Sequence, residues 1–173
     1  FRDAVAPARQ ALVAALAAAT SGPQRRAAKI AYGDAILPAK VARKAALQSA
    51  RIDYVEAAEQ ARIDFLTIRG AHPEVVASAR YRQAVNLATA EYRAAVTDAQ
   101  ATFRIQSAPI RITTRTAGSS ASAGQVSHGA AESIRIATAD ITGVFRSQVS
   151  SARATYQAKI SVARKILGTS LAT

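Results

Sequence analysis

The stretch ARIDYVEAAEQARIDF, residues 50–65, contains the pentapeptide ARIDY and, eleven residues later, its near copy ARIDF. The repeat sets Tyr54 in line with Phe65. Eleven residues make three helical turns at 3.67 residues per turn, so residues eleven apart lie above one another on one helix face. The stretch therefore predicts a helix with a regular apolar stripe.

The same spacing holds for nearly every aromatic residue of the chain. All five tyrosines and three of the four phenylalanines lie eleven residues, or twice eleven, from another ring or from an aliphatic residue that takes the place of a ring. One departure is Arg43, which stands where an aromatic residue is expected between Tyr32 and Tyr54. So regular a pattern indicates a structural rule for the whole protein.

Each eleven-residue unit also repeats internally, because an aliphatic residue follows the ring at the fourth position and an alanine at the seventh. Steps of four, three and four residues keep these side chains on one face of a helix. We expect this face to be a packing or assembly seam formed by Tyr32, Tyr54, Phe65, Tyr81, Val85, Ala88, Tyr92, Val96, Ala99, Phe103, Ile134, Phe145, Val149, Ala152, Tyr156, Ile160, Ala163 and Leu167.

The composition favours helices that pack along thin seams. Hydrophobic residues make up 50% of the 173 residues, but aromatic residues only 5%, and alanine occupies 44 positions. Alanine is the best helix former and buries little area. The predicted fold is all-α: an elongated antiparallel bundle of three to four long helices with eleven-residue packing.

Glycine and proline residues divide the chain into helices. Pro7 suits a first helical turn, Ser21-Gly22-Pro23 ends one helix and begins the next, and Gly70 is a C-cap before a short turn to Pro73. Pro38 removes a backbone donor and is expected to break the second helix. The sequence predicts a single elongated domain, 1–173, with helices at about 7–20, 23–69 with a break near Pro38, 73–107 and 130–168.

Residues 108–129 depart from the helical pattern. PIRITTRT, residues 109–116, alternates Ile110, Ile112 and Thr114 with polar residues, which is a strand signal. The segment is either a strand that pairs with the edge of a neighbouring subunit or an extended loop. TAGSSASAGQVSHG, residues 116–129, has the composition of a Ser/Gly linker.

Residues able to perform chemistry are sparse. There is no cysteine, and the densest carboxylate group, Asp53, Glu56 and Glu59, lacks the Glu-x-x-His pairs of a di-metal bundle, so a solvated face is expected. His72 and His128 have no catalytic or metal-binding residues near them in sequence. We predict no enzyme activity, no catalytic residues, no metal site and no cofactor.

The net charge of +12 is concentrated towards the two ends of the sequence, which suggests a polyanionic partner such as nucleic acid or acidic polysaccharide. The aromatic residues belong to the stripe and leave no stacking platform for single strands. Possible polyanion contacts are Arg25, Arg26, Lys29, Lys40, Arg43, Lys44, Lys159, Arg164 and Lys165.

The chain begins at Phe1 and contains no methionine, which suggests removal of a secretion signal and a place outside the cell or on its surface; a cytoplasmic location is the alternative. ALVAALAAAT, residues 11–20, is too short to span a bilayer, so integral membrane insertion is not expected. The alanine-rich stripe is too thin for a lipid-binding helix.

Together these features predict a non-enzymatic structural protein that associates with itself into an oligomer or an extracellular filament. The alternative is a basic helical protein that binds DNA or an acidic surface polymer. A stripe committed to helix packing favours the first interpretation, whereas the net positive charge favours the second.

Overall fold

A computed structural model of the chain describes residues 1–119 and 128–171. Nearly all of these residues are helical, and no strand occurs among them, so the predicted all-α class and the helical bundle are confirmed. The predicted Ser/Gly linker falls partly on residues 120–127, which lie outside the described residues. The five helices are α1 (Arg2–Ala18), α2 (Gly22–Ala35), α3 (Leu37–Ile68), α4 (Pro73–Ser119) and α5 (His128–Leu171).

The start of α2 is fixed by a capping box. The Ser21 hydroxyl accepts a hydrogen bond from the Gln24 backbone N–H at 3.4 Å, and the Gln24 side-chain oxygen accepts one from the Ser21 N–H at 3.1 Å. Two of the backbone donors that a helix start leaves unpaired are thereby satisfied. Pro23 lies in the first turn, where its missing N–H costs nothing.

The interruption near Pro38 separates two helices. α2 ends at Ala35, and Ile36, which is only 5% exposed, lies between it and Leu37, the first residue of α3. Pro38 is therefore in the first turn of α3, a position that tolerates a residue without a backbone donor. The Lys40 N–H continues the chain of bonds by donating to the Ile36 carbonyl at 3.0 Å.

The end of α3 is set by Gly70, as the sequence predicts. Gly70 has a φ of 66°, a left-handed conformation that glycine adopts without steric cost. The Gly70 N–H donates to Thr67 and the Ala71 N–H donates to Leu66, both at 3.0 Å, which is the Schellman pattern. The chain then enters α4 at Pro73.

The prediction of an extended segment at 109–116 is wrong, because α4 continues through these residues to Ser119 with Pro109 inside the helix. Ile110, Ile112 and Thr114 are therefore helical residues, and the structure has no strand there to pair with a neighbour. Three alternating β-branched residues are a short signal that a helix also accommodates. Residues 109–116 continue the helix that precedes them in α4, and their β-propensity is too weak to end it.

Contacts divide the chain into two compact units. Unit 1 contains Phe1–Lys44 and Gln100–Arg146, and unit 2 contains Ala45–Ala99 and Ser147–Thr173. In unit 1, α1 packs on α2, and the Arg43 guanidinium lies 5.0 Å from the centre of the Phe1 ring. In unit 2, side chains of α4 contact side chains of α3 and of α5. The prediction that residues 1–173 form one elongated domain stays a prediction.

The buried core of unit 2 is thin. Among its described residues, the buried ones are one isoleucine, Ile63, and five alanines: Ala79, Ala88, Ala90, Ala99 and Ala163. Small side chains allow helix backbones to approach closely but remove little apolar area from water. Half-buried rings and aliphatic residues around these alanines supply most of the remaining packing.

Candidate functional site

The stripe on α4 and α5 brings aromatic rings together in each unit. In unit 2, the rings of Tyr92 and Tyr156 are 5.4 Å apart at an angle of 40°. In unit 1, Phe103 and Phe145 are also 5.4 Å apart, at an angle of 53°. Both pairs have the tilted geometry that aromatic quadrupoles favour. In the sequence, Phe103 follows Tyr92 by eleven residues on α4, and Phe145 precedes Tyr156 by eleven residues on α5.

The other stripe residues of α4 and α5 are withdrawn from solvent as well. Ala88, Ala99 and Ala163 are buried, and the larger side chains are half-buried. Tyr32, on α2 in unit 1, is also half-buried. The half-buried members on α4 and α5 are Tyr81, Val85, Val96, Ile134, Val149, Ala152, Ile160 and Leu167.

The stripe on α3 has a different environment. Tyr54 is 73% exposed and Phe65 is 55% exposed, so the two rings of the ARIDY and ARIDF repeat are not packed in the interior of the chain. Both rings are exposed in the single chain, and the prediction that they share a seam with the rings of α4 and α5 stays a prediction. The Arg69 guanidinium lies 5.4 Å from the centre of the Phe65 ring, which is a contact at the surface.

The inward face of α3 is formed by aliphatic residues that are not part of the predicted seam. Ile63 is 5% exposed, and Ile52, Val55 and Leu66 are half-buried. Ile52 and Ile63 are themselves eleven residues apart, as are Val55 and Leu66. The sequence could have indicated this face, because the spacing of three, eight and three residues from Ile52 to Leu66 marks a second apolar face on the same helix.

Polar contacts hold the helices of unit 2 in register. The Asn86 side-chain amide on α4 donates to Glu59 Oε1 on α3 at 2.6 Å, whereas the buried Glu59 Oε2 has no partner among the described residues. The Gln83 amide donates to the Gln60 side-chain oxygen at 3.2 Å. A hydrogen bond to a half-buried carboxylate is stronger than one between neutral groups, so Asn86 and Glu59 fix α3 against α4.

An ion pair links α4 and α5 in unit 2, between the Lys159 ammonium and the Glu91 carboxylate. The two side chains are 49% and 34% exposed, so solvent screens much of their attraction. In unit 1, Arg135 donates to the Glu132 carboxylate at 2.7 and 3.0 Å on the surface of α5. This contact lowers the pKa of Glu132 and raises the pKa of Arg135.

A groove of about 1140 Å³ lies in unit 2 between the end of α3, the start of α4 and the end of α5. Its walls are mainly apolar and include Ile63, Val76 and Leu167. The rim carries two exposed isoleucines, Ile68 at 85% and Ile166 at 57%. Polar side chains also line the groove, among them Asp64, Arg80 and Gln83.

The predicted polyanion contacts fall into two sets in different units. Unit 1 carries 13 basic and 4 acidic residues, a net charge of +9, whereas unit 2 carries 10 basic and 7 acidic residues, a net charge of +3. All nine predicted cations are exposed. Unit 1 holds Arg25, Arg26, Lys29, Lys40, Arg43 and Lys44, and unit 2 holds Lys159, Arg164 and Lys165.

The carboxylates Asp53 and Glu56 are exposed on α3, and no group of three or more His, Cys, Asp or Glu within residues 1–119 and 128–171 is arranged to hold a metal ion. His72 is exposed in the turn before α4, and His128 is the first residue of α5. None of the described helices combines the length and the hydropathy that crossing a membrane requires.

Comparison with family models found no match to this chain, and comparisons with curated proteins and with solved structures found none either.

Proposed function

We propose that this protein is a non-enzymatic structural protein whose helices assemble with further copies of the same chain into an oligomer or filament. Eleven-residue packing is the proposed means, with rings and small residues alternating along facing helices. The proposed place of assembly is outside the cell or on its surface, and detection of the chain only in the cytosolic fraction of its source cells would count against that location.

The observation that carries the proposal is the distribution of large apolar side chains. Among the described residues, twelve large hydrophobic side chains are exposed, whereas only seven hydrophobic residues are buried, and five of those are alanines. Isolated exposed apolar residues are ordinary, but Tyr54, Phe65 and Ile68 share one face of α3 by their spacing, and a contiguous set of that kind marks an interaction surface. An alanine-rich core stabilises one chain weakly, and binding to a second chain would add stability by mass action.

The ring pairs support eleven-residue packing as the mode of assembly. Tyr92–Tyr156 and Phe103–Phe145 are separated by one period on both helices. A stripe with a period of 3.67 residues runs nearly parallel to the helix axis, so a helix with such a stripe can bind another along many turns. Each ring pair is, within its own unit, an example of the ring-against-ring contact that the proposal extends to other copies.

Light scattering of the purified chain over a range of concentrations tests the proposal. We expect a mass that is a multiple of 18.0 kDa and that rises with concentration. Electron microscopy of the same samples distinguishes closed oligomers from filaments. A mass of one chain at every concentration, from micromolar to millimolar, would overturn the proposal.

Polyanion binding is the second candidate, and the net charge of +9 on unit 1 favours it. Six exposed cations on α2 and on the first turns of α3 supply phosphate or sulfate contacts. Retention on heparin and on duplex DNA across a salt gradient tests this function. Elution above physiological ionic strength would support it, and elution well below would refute it. A variant with Arg25, Arg26 and Lys29 changed to glutamine is the matched comparison.

A further inference from the structure

The outward face of α3 carries an eleven-residue stripe whose side chains are exposed in the described chain, and Tyr54 and Ala58 also border a groove that Asn86 and Ala90 of α4 line. Its large members are Leu47 at 59%, Tyr54 at 73%, Phe65 at 55% and Ile68 at 85% exposure, and Ile68 is also on the rim of the groove between α3, α4 and α5. The small residues between them, Ala50, Ala58 and Ala61, are exposed too. All of these residues belong to unit 2, and the inward face of α3 is a separate set centred on Ile63.

The pattern of this stripe is the pattern that α4 and α5 use against each other. After Tyr54, alanines follow at the fourth and seventh positions and a ring at the eleventh; after Tyr92 come Val96, Ala99 and Phe103. On α4 and α5, the partner of such a stripe is a second helix with the same stripe, ring against ring at 5.4 Å. A helix with that pattern is therefore the occupant that fits the outward face of α3.

The charged residues beside the rings of α3 indicate which helix fits this face and in which direction that helix runs. At roughly 100° per residue, the arginine three positions before each ring and the aspartate one position before it flank the ring on opposite sides. Arg51 and Arg62 form one flank, and Asp53 and Asp64 form the other. None of these four side chains forms an ion pair within the described residues.

We propose that the outward stripe of α3 is the contact between two copies of this chain, with the two α3 helices parallel and in register. This inference rests on the proposed self-association and names its surface. In a parallel symmetric pair, the left flank of one helix faces the right flank of the other, so the arginine flank of each copy meets the partner's aspartate flank. An antiparallel pair places like flanks together, with arginine facing arginine.

The area of this contact is that of a modest, concentration-dependent interface. An aromatic side chain buries roughly 150–250 Å². With the exposed fractions of the two rings and two aliphatic side chains on each copy, two copies bring together on the order of 1,000 Å² of apolar surface, near the lower bound for a specific interface. A symmetric contact of this kind closes a pair, and a longer assembly would need a second surface.

Single cysteines test the contact directly, because the chain has none of its own. In the proposed pair, Ala50→Cys meets the same position of the partner, and so does Ala61→Cys, at a separation that a short bis-maleimide spans. We expect both variants to give crosslinked dimers. Ser49→Cys, an exposed neighbour on a different face of α3, is the matched control and is expected to remain monomeric under the same treatment.

The crosslinking outcomes separate this inference from the proposed function. Crosslinking of Ala61→Cys without Ala50→Cys would indicate an antiparallel pair and overturn the inference. Association seen by light scattering with neither variant crosslinked would also overturn it, while leaving the proposed function intact. A chain that is monomeric by light scattering would remove both.

Charge-swapped variants provide an independent measurement. With Arg51 and Arg62 changed to aspartate, both flanks of α3 are acidic; with Asp53 and Asp64 changed to arginine, both are basic. We expect each variant alone to associate at least tenfold more weakly than the wild type, and an equimolar mixture to form heterodimers. Wild-type affinity in either variant alone would contradict the parallel arrangement. Far-UV circular dichroism shows whether each variant is folded.

Discussion

Replacing Ile63 by alanine distinguishes the inward face of α3 from the outward face that carries the rings. Ile63 is 5% exposed, so the substitution removes three buried carbon atoms and about 2.4 kcal/mol of transfer free energy at ~0.8 kcal/mol per carbon. The cavity left behind adds to that cost, as buried isoleucine-to-alanine changes typically cost about 2–5 kcal/mol. We expect a loss of about 3 kcal/mol in the free energy of unfolding.

Tyr54→Ala is the matched comparison, because its ring is larger but lies mostly in solvent. At 73% exposure, only about 50 Å² of a side chain of roughly 200 Å² is withdrawn from water, worth about 1.3 kcal/mol. The higher helix propensity of alanine offsets a few tenths of a kcal/mol of that loss. We expect a net cost of about 1 kcal/mol, a third of the cost at Ile63.

Urea denaturation followed by circular dichroism measures both values, at concentrations low enough that self-association contributes nothing to stability. Equal m-values in the two variants would show that the extent of unfolding is unchanged. A loss at Tyr54 as large as the loss at Ile63 would refute the assignment of the two faces, because it would require the ring to be buried.

Three further changes probe other contacts. Asn86→Ala removes the 2.6 Å hydrogen bond to the half-buried carboxylate of Glu59; we expect about 1.5 kcal/mol lower stability by urea denaturation, most of it absent in a Glu59→Leu background. Ser21→Ala removes the cap of α2 and is expected to cost about 1 kcal/mol, measured by thermal unfolding with Ser21→Asp as the conservative control. Glu132 is expected to titrate by NMR below its usual pKa and to return to it in Arg135→Ala. Because the folded-state pKa is lowered, this pair's contribution to stability is present above the unfolded-state pKa and is lost as pH falls through the folded value.

The ring contacts between α4 and α5 were predictable from the sequence because the rings of each helix lie on one stripe, although other large apolar side chains such as Ile105 and Ile136 are exposed. On these helices, rings, aliphatic residues and alanines share one face, and that face is the one withdrawn from solvent. The ring contacts Tyr92–Tyr156 and Phe103–Phe145 lie on it. The helix boundary at Ser21-Gly22-Pro23 and the C-cap at Gly70 were also predictable, since both depend on local chemistry.

The orientation of α3 was not predictable, because an exact eleven-residue repeat keeps every position in phase. Ile52 and Ile63 stay on one face as faithfully as Tyr54 and Phe65 stay on another. Periodicity identifies the faces but does not say which one turns inward, and the choice depends on the side chains that α4 presents. The strand prediction for residues 109–116 was wrong for a related reason. The alternation of β-branched and polar residues there is short, and the helix that precedes it continues through it.

The two faces of α3 allow stability and association to be changed separately. The inward face, centred on Ile63, contributes to the stability of unit 2, so its loss is expected to weaken every measurement. The outward face, with Tyr54 and Phe65, makes little contact within the chain, so its loss is expected to leave the fold nearly unchanged while it reduces association. A variant such as Tyr54→Ala that remains helical and becomes monomeric would locate the contact on that face. A variant that unfolds would instead indicate that the outward stripe is part of the folded interior, and the inference of a pairing surface would fall with it.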